Sequence, residues 1–211
     1  ARIARLRSRE YFDRPELFNE DNFAVSYALC PEQVITDYLI KLVDFPEALQ
    51  VLSFAGGLVS LVGLRVYADG LMVGRPLKEM SEHLGDGIEA RIAAIYRRDH
   101  PITPSGDTVL EEGDEVFVLA AEAHIRRVLV ELRRMTTPVK RIIIAGGGNI
   151  GLRVAKRLEG RCMVKLIDHN SGRSQFIANQ LGNGLVLLGD ATDEELLQQE
   201  AIDESDLFMA L

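Results

Sequence analysis

Gly146-x-Gly148-x-x-Gly151 is the spacing in this chain most able to do chemistry, and it follows directly on Arg141-Ile142-Ile143-Ile144-Ala145. With 18 glycines in 211 residues such a triple also arises by chance, so its setting decides its weight. A strand with almost no polar residue runs into it, an amphipathic helical pattern opens from it, and Asp168 stands about 20 residues past Gly148 at the end of the next strand. Each residue type has a physical reason. Gly146 permits a tight strand-to-helix turn, Gly148 has no side chain to hold a diphosphate off the backbone, and Gly151 lets helix and strand approach closely. Free N–H groups at the helix start and the positive end of its dipole hold anionic phosphates. A carboxylate at Asp168 suits the 2′ and 3′ hydroxyls of an adenosine ribose and repels a 2′-phosphate, which favours NAD over NADP. The competing reading is a structural turn on a nucleotide-free α/β domain.

A second cluster, Gly189-Asp190-Ala191-Thr192, closes the third strand of this region at the same carboxyl edge, where open α/β sheets bind ligands. Equally, Thr192 caps the next helix, with Glu195 completing a capping box. His169 and Arg173 follow Asp168 on a loop, where they either reach ribose or phosphate or are simply solvated. No proton-transfer group of the kind a dehydrogenase needs stands out. His83, His100 and His124 have no paired carboxylate, Ser or Cys motif beside them in sequence and read as surface or satisfied core residues. Cys30 and Cys162 lie far apart without a CxxC or Cys/His cluster, so neither a metal site nor a disulfide is expected.

The elements that would position these groups alternate from Lys140 onward: strands at 141–145, 163–167, 185–188 and 206–211, and helices after the glycine turn (with Ile150, Val154 and Leu158 on one face), at 174–181 and at 193–200. That order is the sequence form of a parallel βαβ stack, an α/β fold. Earlier segments differ. Residues 2–7 alternate as a strand, Ser8 caps a helix through Tyr11, and 23–29 is a short apolar run. Pro31 opens a helix with Val34, Ile35, Tyr38, Leu39 and Leu42 on one broad face up to Asp44. Strands at 49–54, 58–66, 88–97 and 115–120 with a helix at 78–84 make a small α+β module. It closes with a helix whose stripe is Ile125, Val128, Leu129, Leu132 and Met135 and whose solvated side carries Arg126, Arg127, Arg133 and Arg134, and Thr136-Thr137-Pro138 then breaks it.

Composition sets the outer bounds. A hydrophobic fraction of 47% against 27% charged is ordinary for a globular chain. A net charge of −8 argues against nucleic acid as a partner. The uncharged stretch 48–64 is short for a membrane helix and has Gly56-Gly57 at its centre, so it reads as two buried strands joined by a tight turn. There is no initiator Met and no secretory signal, which makes a cytoplasmic setting the default, and the chain stops inside its last strand as a piece of a longer polypeptide would.

The order of Arg2-Ile3-Ala4-Arg5-Leu6-Arg7-Ser8, a Pro31-Glu32-Gln33 helix, the strand module and the run from Arg141 to Gly151 resembles the TrkA family. Its members are cytosolic regulators of bacterial Trk-type potassium uptake, related to the RCK/KTN domains of potassium channels. The resemblance implies a Rossmann-like parallel-sheet RCK lobe, truncated, plus an α+β TrkA-C module. On that basis 1–30 is the end of a first lobe, 31–45 a connecting helix, 46–136 the TrkA-C module and 139–211 the start of a second, NAD-binding lobe. It carries the phosphate loop onto Gly146, Gly148, Asn149, Ile150 and Gly151, the ribose carboxylate onto Asp168, and the adenine-side turn onto Gly189, Asp190, Ala191 and Thr192. The pair Asp168-His169 departs from the family's usual Glu-Arg or Asp-Arg. Arg5 and Arg7 would face the phosphates of a first lobe whose glycine loop the chain does not contain.

The function implied is regulatory and not enzymatic. NAD+ or NADH, or else ATP or ADP, would change the arrangement of paired lobes in a dimer or larger homo-oligomer, and a membrane-embedded Trk potassium transporter subunit would receive the change. The protein would then be cytoplasmic, peripheral on the inner face of the bacterial plasma membrane. Two other functions fit the same residues: an NAD-dependent dehydrogenase fragment without its catalytic domain, and an empty scaffold used for assembly.

Overall fold

Short β-prone segments fill the middle of the chain and strand–helix alternation fills its last third, and each pattern builds its own core. The computed structural model describes residues 1–7, 11, 14–85, 87–132 and 138–211. They form two compact units, Ala1–Ile40 with Val139–Leu211, and Lys41–Pro138. The expected cap at Ser8, the stripe residue Met135 with Arg133 and Arg134, and the Thr136-Thr137 break lie outside the described residues.

In the first unit β1 (Ile3–Arg5) pairs in parallel with β2 (Tyr27–Leu29). Helix α1 (Pro31–Asp44) follows, begun by a proline whose missing N–H costs nothing in a first turn, and its last residues from Lys41 belong to the second unit. Its buried side is not the one expected. Val34 and Ile35 are 55% and 43% exposed, while Thr36, Ile40 and Val43 are buried. The inward stripe therefore runs i, i+4, i+7 from Thr36, whose hydroxyl tolerates burial because it donates to the Glu32 carbonyl at 2.7 Å.

The second unit is an antiparallel sheet with helices. Strands β3 (Ala48–Phe54) and β4 (Val59–Arg65) form a hairpin around Gly56-Gly57. Helix α2 (Met80–Leu84), β5 (Ala90–Arg97), β6 (His100–Ile102), β7 (Glu115–Ala121) and α3 (Ile125–Leu132) complete it, in sheet order β3-β4-β7-β5-β6. Val51, Val62, Leu64, Ile95, Val116 and Val118 of the sheet share one core with Leu84, Ile125, Val128 and Leu132 of the helices. The expectation of two buried strands holds for β4 and fails for β3. An edge strand has a neighbour on one side only, and Leu49, Leu52 and Phe54 are exposed. Strand β6 was not foreseen, because the turn before it is made by Arg98 and Asp99 at φ 49° and 64° without the glycine that signals such turns. Among the described residues no helix is long and apolar enough to cross a membrane.

Two charged contacts tie this unit together. The buried Asp114 carboxylate accepts from Arg97 Nε and Nη2, both at 2.8 Å, and from the Glu111 amide at 2.9 Å. Burial pushes this carboxyl up, but the Arg97 fork and the Glu111 amide outweigh burial and hold it below its ordinary value. His83, expected without a carboxylate partner, has one brought by the fold: its Nδ1 lies 3.1 Å from Glu131 Oε2, and its Nε2 3.1 Å from Arg75 Nη1.

The chain then returns to the first unit as β8 (Arg141–Ala145), α4 (Asn149–Leu158), β9 (Met163–Asp168), α5 (Ser171–Ala178), β10 (Leu185–Leu188), α6 (Glu194–Gln199) and β11 (Leu207–Ala210). The sheet is parallel throughout, in the order β10-β9-β8-β11. Ile142, Ile144, Val164 and Leu166 of the sheet are buried along with Val154 and Leu158 of α4 and Ile177 of α5. The strand order runs outward from β8 to β10 and then jumps back to β11 on the other side of β8. Such a reversal leaves a crevice at the carboxyl ends of the strands.

Replacing Asp114 by Asn is expected to destabilise the second unit by about 2 kcal/mol at neutral pH, the worth of hydrogen bonds to a charged acceptor. The lowered pKa adds a sign. Its stabilisation is complete above the unfolded-chain value near 4 and is lost as pH falls through the folded-state value. Urea unfolding of both proteins at pH 7 and pH 3 is therefore expected to show the gap closing in acid.

Candidate functional site

The turn from β8 into α4 is shaped by close backbone approaches. Gly146 sits at φ 111°, a conformation glycine alone adopts readily, and its N–H donates to the Ile167 carbonyl at 2.9 Å. A Cβ on Gly146 would run into the Leu211 carbonyl, and one on Gly151 into the Gly146 carbonyl. Gly148 is different in kind. It has ordinary dihedrals, φ −64° and ψ −172°, and nothing lies within 4 Å of where its Cβ would be. As the residue preceding α4 it offers no side chain to cap the helix. The amides of the first turn, from Asn149 and Ile150 to Gly151, are therefore left for water or an anion, at the positive end of the helix dipole.

Asp168 ends β9 and is 4% exposed. Its Oδ2 accepts from the Gly147 amide at 2.8 Å and from Arg173 Nη1 at 3.3 Å, and its Oδ1 from the Asn170 amide at 2.8 Å. Burial raises the carboxyl's pKa, but the Asn170 and Gly147 amides and then Arg173 outweigh it, so the group is held below its ordinary value and charged. Its first task is thus to fasten the glycine turn to the loop after β9. A carboxylate has about four lone-pair positions, so these three contacts leave about one for a further donor.

The Gly189–Thr192 cluster lies beside this carboxylate. Leu188 is paired with Asp168 across the sheet, and the Gly189 amide donates to the Asp168 carbonyl at 3.1 Å. Asp190 Oδ1 accepts from both the amide and the hydroxyl of Thr192 at 2.8 Å, and these two donors hold its carboxyl below its ordinary value. Thr192 is therefore not the cap of α6. Asp193 is, its Oδ1 accepting from the Glu195 and Leu196 amides, and Thr192 has its hydroxyl committed to Asp190. Ala191 is half-buried within this turn, and His169 is exposed on the loop beside Asp168. Arg173 turns back onto Asp168, while its own amide is capped by Asn170 Oδ1 at 2.9 Å. That cap starts α5 at Ser171, three residues before the expected start.

Gly146, Gly147, Asp168 and Gly189 are thus joined by hydrogen bonds at the carboxyl ends of β8, β9 and β10. The Arg7 carbonyl accepts from Arg153 Nη2 at 3.2 Å, and Arg5 lies near enough to the exposed Glu32 for its charge to favour that carboxylate. The motif treats Gly147 as a free position, yet a Cβ there would meet Ile177 and the Asp168 carboxylate. The unbroken run Gly146-Gly147-Gly148 was the signal for it. Among the described residues no group of His, Cys, Asp and Glu is placed to hold a metal, and neither cysteine is in a disulfide.

Comparison with known proteins places these features. The TrkA-C domain family matches residues 61–133 and the TrkA-N domain family residues 142–211. The Trk system potassium uptake protein TrkA of Vibrio alginolyticus is 46% identical over 211 residues, and its counterparts from Halomonas elongata and Haemophilus influenzae are 44% and 42% identical. Each match covers 100% of this chain and 46% of the relative, so the chain spans about half the length of these proteins. Among solved structures, the GsuK channel matches with TM-score 0.59 at 21% identity, over 99% of this chain and 36% of the channel chain. A GsuK channel bound to NAD matches with TM-score 0.56 at 19% identity, over 99% and 35%. The fold is that of RCK domains, and the chain is a homologue of the TrkA potassium uptake proteins in which a TrkA-C domain is followed by a TrkA-N domain.

Proposed function

We propose that the turn between β8 and α4 receives the diphosphate of NAD+ or NADH and that its occupancy regulates potassium uptake through a membrane-embedded Trk transporter. The observation that carries this reading is the open space above Gly148 at the start of a helix with no side-chain cap, in a turn whose Gly146 and Gly151 are packed against backbone and whose Gly147 is packed against the Ile177 and Asp168 side chains. A merely structural corner would need the close approaches at Gly146 and Gly151; it would not need a clearing at Gly148. The names of the relatives supply the transport process, and a structural neighbour named as an NAD-bound channel supports the ligand class. ATP and ADP carry the same diphosphate and are the alternative ligands. The charge on Asp168 disfavours a 2′-phosphate.

Regulation requires that nucleotide bind one arrangement of the lobes better than another. We take that arrangement to be a dimer or larger assembly of the whole protein on the cytoplasmic face of the membrane. The nucleotide is then an effector, not a reagent, and NADH is expected to remain unoxidised.

The two kinds of glycine give a clean test. Gly148→Ala is expected to keep the fold, within about 1 kcal/mol for a change of helix-cap residue, and to weaken NADH binding at least tenfold by calorimetric titration. Gly151→Ala is expected to lower stability by about 2 kcal/mol or more even without nucleotide, because its methyl meets the Gly146 carbonyl. Unchanged NADH affinity in the Gly148 variant would leave the turn as a corner only. Asp168→Asn is expected to narrow the preference for NADH over NADPH, read as a ratio of dissociation constants, since it removes the charge that repels the 2′-phosphate.

A further inference from the structure

We propose that Arg153 and Arg157 of α4 form a two-rung strut that carries nucleotide occupancy from the glycine turn into α1, an inference that rests on the nucleotide reading above. Both arginines lie on the helix whose first turn would meet the diphosphate. At about 1.5 Å per residue they stand roughly 8 and 14 Å along α4 from Gly148, one turn apart and on one face. Arg153 Nη1 lies 3.4 Å from the sulfur of buried Cys30 and 3.5 Å from Gln33 Oε1, and its Nη2 donates to the Arg7 carbonyl at 3.2 Å. Arg157 Nη1 lies 3.2 Å from Asp37 Oδ1. The acceptors match this spacing: Gln33 and Asp37 are also one turn apart on α1, and Gln33 Nε2 donates to Asp37 Oδ1 at 2.9 Å. Two donors a turn apart thus face two acceptors a turn apart, a pattern that holds the helices in axial register.

The far end of α1 is fastened within the second unit. Lys41 Nζ donates to Ser53 Oγ, Leu42 packs on that unit's core, and Phe45, just past the helix, belongs to it. Helix α1 therefore has one end tied to the nucleotide helix and the other built into the TrkA-C unit. Exposed or half-exposed contacts of this kind contribute little to stability, so removing them is expected to spare the fold. Their effect is on register: when a diphosphate fixes the start of α4, the rungs fix α1 with it. Without them, α4 can respond and α1 need not.

The test is hydrogen exchange by mass spectrometry on the 211-residue chain with and without NADH, for the unaltered protein and for Arg153→Ala/Arg157→Ala. In the unaltered protein NADH is expected to slow exchange both at 147–152 and at 33–44. In the double variant the thermal midpoint and the NADH dissociation constant are expected to stay within about 2 °C and threefold, with slowing kept at 147–152 and lost at 33–44. The exchanged pair Asp37→Arg/Arg157→Asp restores the slowing at 33–44 if the rung acts through charge. Slowing at 33–44 that persists in the double variant overturns the strut while leaving nucleotide binding intact. No slowing at 147–152 in the unaltered protein overturns the nucleotide reading and the strut with it.

Discussion

One carboxylate holds the candidate site in shape. Asp168 is buried at the end of β9 and charged, and it remains so because two backbone amides and Arg173 replace the water it has lost. One of those amides is Gly147, so the same contact that keeps Asp168 ionised also fixes the glycine turn on the neighbouring strand. Removing the charge would leave the Gly147 N–H buried with a poorer partner and free the turn to move. The open space at Gly148 and the uncapped start of α4 depend on that turn being held where it is.

The sheet around it explains why the site falls at this edge. Parallel strands β8, β9 and β10 end together, and their last residues are stitched by Gly146 to Ile167 and Gly189 to the Asp168 carbonyl. The candidate groups from Gly146 to Thr192 lie at those strand ends, in the turns that leave them or in the first turns of the helices that follow. Arg7, just past β1, lies apart from them: its carbonyl meets α4 at Arg153, in the middle of the helix. This divides the unit into an edge that carries the candidate site and a flank that faces α1, with α4 common to both.

How much of this was legible in the sequence depends on whether the cause was local. The parallel sheet and the glycine turn were legible because buried parallel strands leave unbroken apolar runs such as Ile142-Ile143-Ile144, and glycines mark backbone contacts. The partners of Asp168 were not, since a carboxylate suited to a ribose hydroxyl is equally suited to a backbone amide. His83 and Glu131, far apart in the chain, are paired by folding, and no spacing announces them. The misplaced cap at Thr192 was a choice between adjacent side chains, and Asp193 has the carboxylate free for it. The buried face of α1 was misread because Val34 and Ile35 are apolar but exposed, while the inward stripe begins with a threonine that satisfies itself on its own helix.

The most direct measurement of the central claim is the amide spectrum of the glycine turn in a nucleotide titration, followed by heteronuclear NMR on isotope-labelled protein. Saturable shifts centred on the amides of Gly148, Asn149 and Ile150 are expected as NADH is added, with the Gly147 amide retaining the signature of its bond to Asp168. A titration in which those amides stay fixed while the protein remains folded would contradict that claim.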